Sequence, residues 1–164
     1  MDQHPDLDRI CAIDLDESTI LWRNPDVERE REVALRDLVE DNSFRPLRAT
    51  ALGHQGPWSL KLAVVDGRLV IGLIDGSGQD AGSIGLGLAR FRRVVREYFA
   101  ICDSYYKAVR KASAQEIETV DMARRAIHDR ATRQLVDALE EKAACNFATA
   151  RRLFTLICVL HIRA

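Results

Sequence analysis

The sequence predicts one α+β domain over residues 1–164, with a small antiparallel sheet packed on a predominantly helical C-terminal half. Three observations carry this reading. Asp66-Gly67 sits between two runs of alternating apolar residues, the strongest short hairpin signal in the chain. Residues 88–111 separate on a helical wheel into an apolar arc and a basic arc. From Leu153 onward the chain is apolar in every direction, as a helix buried on all sides must be.

Taken in order, residues 1–8 are acidic and expected to be disordered, and Ile10–Leu15 reads as a strand with Cys11, Ile13 and Leu15 on one face. Asn24, Pro25 and Asp26 make a helix start, because Asn caps, Pro presets φ where its missing N–H costs nothing, and Asp meets the dipole. That helix should run to about Asp41, bury Val27, Ala34, Leu35 and Leu38, and carry Glu32–Arg36 and Arg36–Glu40 pairs. In the hairpin, pairing Val65 with Arg68 puts Trp58, Leu60, Leu62, Val64, Leu69, Ile71 and Leu73 on one face. Residues 76–87 read as a Gly-rich loop.

In the next helix, Phe91, Val94, Val95, Tyr98, Ile101, Cys102, Tyr105, Tyr106 and Val109 share the apolar arc. Ser113 with Glu116 forms a capping box, so another helix starts there, using Ile117, Val120, Ile127, Leu135 and Leu139, with a break expected near His128-Asp129. Asn146 caps the last helix. The sequence shows no repeat and no linker.

Composition narrows function only by exclusion. With 47% hydrophobic and 30% charged residues in 164, the chain is globular rather than disordered. The longest apolar run, 153–162, falls short of the roughly 20 residues that span a bilayer and contains a Thr and a His. The start lacks an export signal, so a cytoplasmic protein with no membrane partner is expected. Its four cysteines have no CxxC spacing, so neither zinc nor another cofactor is expected; Cys102 and Cys158 read as buried thiols.

Charge is split. Residues 1–82 carry 9 basic and 16 acidic side chains (−7), and residues 83–164 carry 15 and 9 (+6). The two halves attract each other within one fold, or the basic surface meets an external anion. The candidate surface is Arg92, Arg93, Arg96, Lys107 and Arg110. Arg90, Arg92, Arg93 and Arg96 crowd a helix N-terminus, where cations oppose the dipole and gain nothing locally. Arg124-Arg125 and Arg151-Arg152 repeat the doublet, with Asp121 spaced to pair Arg125. The tyrosines fall in the apolar arc; only Tyr106, near its edge, is placed to stack on a base.

Two catalytic patterns are weak. Asp14-Leu-Asp-Glu-Ser18 after an apolar strand resembles the nucleophile loop of haloacid-dehalogenase-type phosphatases, where the first Asp attacks phosphorus and the pair helps hold Mg²⁺. The βα alternation such a fold needs is missing. The glycines of 69–82 loosely resemble a dinucleotide loop, yet they follow a hairpin strand and no acid-ended second strand follows. His128 and His161 are isolated and read as hydrogen-bonded structural residues.

Three segments, residues 91–106 (FRRVVREYFAICDSYY), 117–128 (IETVDMARRAIH) and 148–161 (ATARRLFTLICVLH), are the most specific. With Asp14-Leu-Asp-Glu17 and Gly56-Pro57, they resemble the uncharacterised protein family UPF0262 of alphaproteobacteria over nearly the whole chain. The resemblance implies a small bacterial cytosolic protein with no assigned catalytic residue. It also implies that relatives often lack an acid at Asp14, which weighs against a phosphatase. Residues 129–131 depart from the Gly-containing stretch that the family pattern implies there, and the 76–87 glycines are not part of that pattern.

The leading expectation is a non-enzymatic interaction or regulatory protein that binds a protein partner through the basic helical face. RNA or nucleotide-phosphate binding through the same face is the alternative, and a Mg²⁺-dependent phosphatase using Asp14 and Asp16 is a remote one. A homodimer stays open, because the buried C-terminal helix finds its cover within the chain or from a second copy.

Overall fold

The computed structural model describes residues 6–17 and 25–160. Its elements are β1 (Ile10–Leu15), α1 (Pro25–Glu40), β2 (Phe44–Pro46), α2 (Leu47–Ala51), β3 (Trp58–Val65), β4 (Arg68–Ile74), β5 (Asp80–Gly87), α3 (Arg92–Lys111), α4 (Ala114–Leu139), β6 (Ala143–Cys145) and α5 (Phe147–Leu160). The architecture is α+β, with a four-stranded sheet in the order β1-β3-β4-β5 and a separate β2-β6 ribbon.

The β3–β4 hairpin forms in the expected register, Val65 opposite Arg68. Asp66 and Gly67 both take positive φ (52° and 73°), as the turn that matches strand twist requires. Trp58, Leu60, Leu62, Leu69, Ile71 and Leu73 are all buried on one face, and Val64 is half-buried.

The sheet is mixed rather than wholly antiparallel. β1 joins β3 in parallel, which the long excursion through α1 and α2 makes possible. An irregularity between Ile10 and Ala12 turns Ile10 inward along with Leu15, five residues on, which strict alternation forbids.

Residues 76–87 are not simply a loop, because most of them form β5, paired antiparallel with β4. The glycines fit a strand there for a steric reason. A Cβ at Gly85 would lie 3.2 Å from the Arg68 guanidinium, which crosses β5 at that point.

The helices form one connected core with the sheet. In α1, Ala34 and Leu38 are buried, Val27 and Leu35 half-buried. Its expected Asn24 cap lies outside the described residues. The expected Glu32–Arg36–Glu40 ladder is replaced by an Arg36–Asp37 approach at 3.8 Å. Of the first eight residues, 1–5 lie outside the described residues, and the Asp8 carbonyl accepts from Phe44 N–H at 2.9 Å.

A single 3-10 turn, Ala89–Phe91, precedes α3, so the helix begins at Arg92. It buries Val94, Val95, Tyr98 and Cys102, whereas Val109, placed in the apolar arc by the wheel, is 51% exposed. The capping box at Ser113 forms, its hydroxyl accepting from Glu116 N–H at 3.3 Å.

The expected break near His128 does not occur, and α4 runs unbroken from Ala114 to Leu139. No Gly or Pro interrupts it, and His128 is taken into the core beside Tyr98 and Phe154, with ring centroids 4.9 and 5.7 Å away. Asn146 Oδ1 accepts from Thr149 N–H at 2.8 Å and caps α5. Every residue from Leu153 to Leu160 is buried, each large apolar one stabilising the fold by about 1.5–3 kcal/mol relative to exposure. No helix among the described residues is long and apolar enough to cross a membrane.

Candidate functional site

The basic face of α3 follows from its sequence order. Buried Phe91 anchors the preceding turn, and the four arginines around it point away from the core. At 100° per residue, positions 92, 96, 107 and 110 fall within roughly 60° of one another, with 93 on the flank. No acidic residue occupies the first turn of α3.

The five candidate residues divide into two groups. Arg92 and Arg96 are exposed and have no acidic partner among the described residues. Arg93 is 92% exposed and meets Glu97 at 3.2 Å, a carboxylate that also takes Arg130 from α4. Further along, Lys107 meets Asp103 at 2.8 Å and Arg110 meets Asp26 of α1 at 3.1 Å. Pairs this exposed are worth about 0–1 kcal/mol, so they leave the cations available to a partner.

Charges of the two halves also meet inside the fold. Arg110 reaches Asp26, Arg124 lies 3.6 Å from Glu30, and Tyr106 O–H donates to Glu30. Tyr98 is buried and Tyr105 is covered by the Arg124 guanidinium at 4.3 Å, so neither ring lies on the arginine face.

The two arginine doublets, read in the sequence as separate features, converge. Arg124, Arg125, Arg151 and Arg152 line one groove between α1, α4 and α5, with a volume of about 430 Å³. His128 lies at its floor, 9% exposed. Its Nε2 is 3.0 Å from the Arg151 carbonyl, which only accepts, so the proton sits on Nε2, with the Thr155 hydroxyl 3.2 Å from the same nitrogen. Burial, helped by the Arg151 charge, lowers the His128 pKa to about 4, so the ring is neutral at pH 7.

A polar cluster absent from the sequence reading joins two loops. His54 Nδ1 lies 2.7 Å from Asp75 Oδ2, while Asp75 Oδ1 accepts from Ser77 N–H, Ser77 O–H and Gln79 N–H at 2.9, 2.7 and 2.9 Å. These donors, His54 first, hold the Asp75 carboxyl well below the usual carboxylate range. Gly76 N–H donates to Gln55 O at 2.7 Å, and a Cβ at Gly76 would sit 2.3 Å from Gly56 O, so the loops touch backbone to backbone. The glycines read as a phosphate cradle thus serve a tight turn and a strand.

Asp14 is exposed on β1, paired in register with Lys61, and Asp16 N–H donates to Leu62 O at 2.8 Å. Among the described residues, no group of three or more His, Cys, Asp or Glu side chains is arranged to hold a metal ion. His161 lies outside the described residues. Cys102 and Cys158 are buried, and burial raises the Cys102 pKa to about 11.

Comparison with known proteins agrees along the chain. The model of the uncharacterised protein family UPF0262 matches residues 7–163. A UPF0262 protein of Novosphingobium aromaticivorans is 59% identical over 159 residues, covering 94% of this chain and 97% of its own. One from Sphingopyxis alaskensis is 56% identical over 162 residues, covering 99% and 98%. A third, from Cereibacter sphaeroides, is 45% identical over 156 residues, covering 94% and 99%. No solved structure matches. The match over almost all of the chain, at up to 59% identity, shows that the chain belongs to the uncharacterised protein family UPF0262.

Proposed function

We propose that the protein is a non-enzymatic interaction protein that docks an acidic protein partner on the basic face of α3. One observation carries this reading: Arg92 and Arg96 stand exposed with no carboxylate partner among the described residues, beside Arg90 and Arg93, at a helix end whose dipole disfavours cations. Placement of this kind gains nothing within the fold and suits electrostatic capture of a negative surface, which speeds encounter and fixes orientation. Lys107 and Arg110 extend the same line by roughly 20 Å, at 1.5 Å per residue. RNA is the alternative occupant of the same face: Tyr98 is buried and Tyr105 is covered by Arg124, which leaves half-buried Tyr106, at the edge of the arginine face, as the tyrosine on which a base would stack.

The test is capture from native cytosol at low salt, with and without nuclease, using wild type and an Arg92/Arg93/Arg96→Glu variant of unchanged circular dichroism and melting temperature. Support is an acidic protein bound stoichiometrically after nuclease treatment, crosslinked to α3, and lost by the variant. A folded variant that keeps every partner refutes the reading. Material that disappears on nuclease treatment moves the face to RNA, with affinity falling steeply as salt rises.

A further inference from the structure

The arginine groove has a charge balance of its own, separate from the α3 face. Arg124 is saturated: its Nε and Nη2 reach Asp121 at 3.1 and 2.7 Å, Nη1 lies 3.6 Å from Glu30, and its plane covers Tyr105. Arg125 Nε also meets Asp121, at 3.3 Å, and Arg151 Nη1 meets Asp129 at 2.8 Å. These three guanidinium groups are therefore balanced by three carboxylates. Asp37 on the α1 wall has Arg36 at 3.8 Å.

Arg152 differs from the others. Its Nη1 donates to the Asp41 backbone carbonyl at 2.9 Å, a neutral acceptor that fixes the side chain without cancelling its charge. Nη2 and Nε have no partner among the described residues, and together they form the fork that matches a carboxylate. Next to it, Arg151 has spent one terminal nitrogen on Asp129 and keeps the other. Val33, Ala34, Ala148 and Tyr98 add apolar surface to the groove lining. A volume of about 430 Å³ falls within the usual span of roughly 300–1,000 Å³ for small-molecule sites.

We propose that this groove binds a small monocarboxylate, its carboxylate on Arg152 and Arg151 and its carbon body against Val33, Ala34 and Tyr98. Arg152, which among the described residues meets no carboxylate within 4.0 Å, offers a single positive charge that suits a monoanion. A phosphomonoester dianion would leave an extra negative charge facing Glu30 and Asp37, both of which line the groove. The ion pairs with Asp121 and Asp129 hold the guanidinium groups in place before the ligand arrives, which lowers the entropy cost of binding.

The experiment is a titration of the full-length protein with sodium benzoate, followed by ¹H–¹⁵N correlation spectra, with benzamide as the uncharged control. Saturable shifts are expected at the Ala148 and Thr155 amides and at the Arg152 Nε–H, with a dissociation constant of about 1 mM for so small a probe. Benzamide should not reproduce them. Arg152→Gln should weaken benzoate by about tenfold or more, as expected when one side of a charge-assisted pair is lost. Val33→Phe touches no ion pair, fills the groove and should abolish the shifts even if Arg152→Gln fails to fold. No saturation by about 20 mM, far above the expected constant, would overturn the proposal. So would equal shifts with benzamide, or benzoate affinity unchanged in either variant.

Discussion

Acidification should destabilise this protein through His128. The ring is 9% exposed and packed between Tyr98 and Phe154, with Nε2–H on the Arg151 carbonyl. Burial, then the Arg151 charge, lowers its pKa from 6.5 to about 4 in the fold. The unfolded chain therefore binds the proton more readily, and stability must rise with pH between about 4 and 6.5. The stabilisation is complete above the unfolded value and is lost as pH falls toward the folded one. Full protonation costs about 3 kcal/mol, and about 2 kcal/mol of it is lost on going from pH 7.5 to pH 5. Other groups titrate in the same window, so the assay is a difference. Urea unfolding of wild type and His128→Gln is measured at several pH values; glutamine keeps a donor for Arg151 but carries no titrating group. The wild-type advantage should shrink by about 2 kcal/mol across that interval. A difference that is flat with pH would refute the argument, because it would mean that His128 does not bear the buried, cation-facing environment described.

Three further outcomes follow from the same structure. Phe154→Ala, at a site 0% exposed and edge-on to Tyr98 at 5.7 Å, should cost about 3–5 kcal/mol in urea unfolding; a cost below about 1 kcal/mol would contradict the packing. Gly56→Ala puts a Cβ 1.8 Å from Leu7 O and 2.7 Å from Trp58 Nε1, so it should destabilise by about 1–3 kcal/mol, visible as a lower melting temperature, whereas an unchanged melting temperature would show that the segment around Leu7 yields freely. Native thiol titration should find Cys102, Cys145 and Cys158 slow, since burial raises the first two to about 11 and the third well above the ordinary thiol value, leaving at most Cys11 to react quickly; two fast thiols would be inconsistent with that burial.

Local chemistry was legible where it decides structure by itself. Asp66-Gly67 specified a turn and a register, Ser113 and Asn146 specified two helix starts, and the unbroken apolar run from Leu153 specified burial. What escaped was long-range or sterically masked. The β5 alternation is hidden because its glycines look like loop residues until the Arg68 guanidinium that needs their space is placed across them. Strands of three residues, β2 and β6, carry no periodic signal and exist only through each other. The parallel partner of β1 depends on a crossover that sequence spacing leaves free. For the candidate sites, the α3 arginines could be picked out because a helix places them by period alone. The groove could not, since Arg125 and Arg152 belong to different helices, and neither could His54 with Asp75, which a hairpin brings together from 21 positions apart.

The β2–β6 ribbon bears on how the chain reaches this state. Pro46 pairs with Ala143, so the contact closes a loop of more than half the chain. Closing about a hundred residues costs roughly 4 kcal/mol in chain entropy beyond the constant term, by the logarithmic scaling of loop closure. Three residue pairs cannot offset that on their own, so the ribbon must zip after α3, α4 and α5 have already folded back and shortened the effective loop. It is then a terminal event of folding and an early one of unfolding. The Leu47 amide, which donates to Lys142 O at 3.0 Å beside the ribbon, acts as a clock hand for completion, distinct from the hairpin, which forms from neighbours alone.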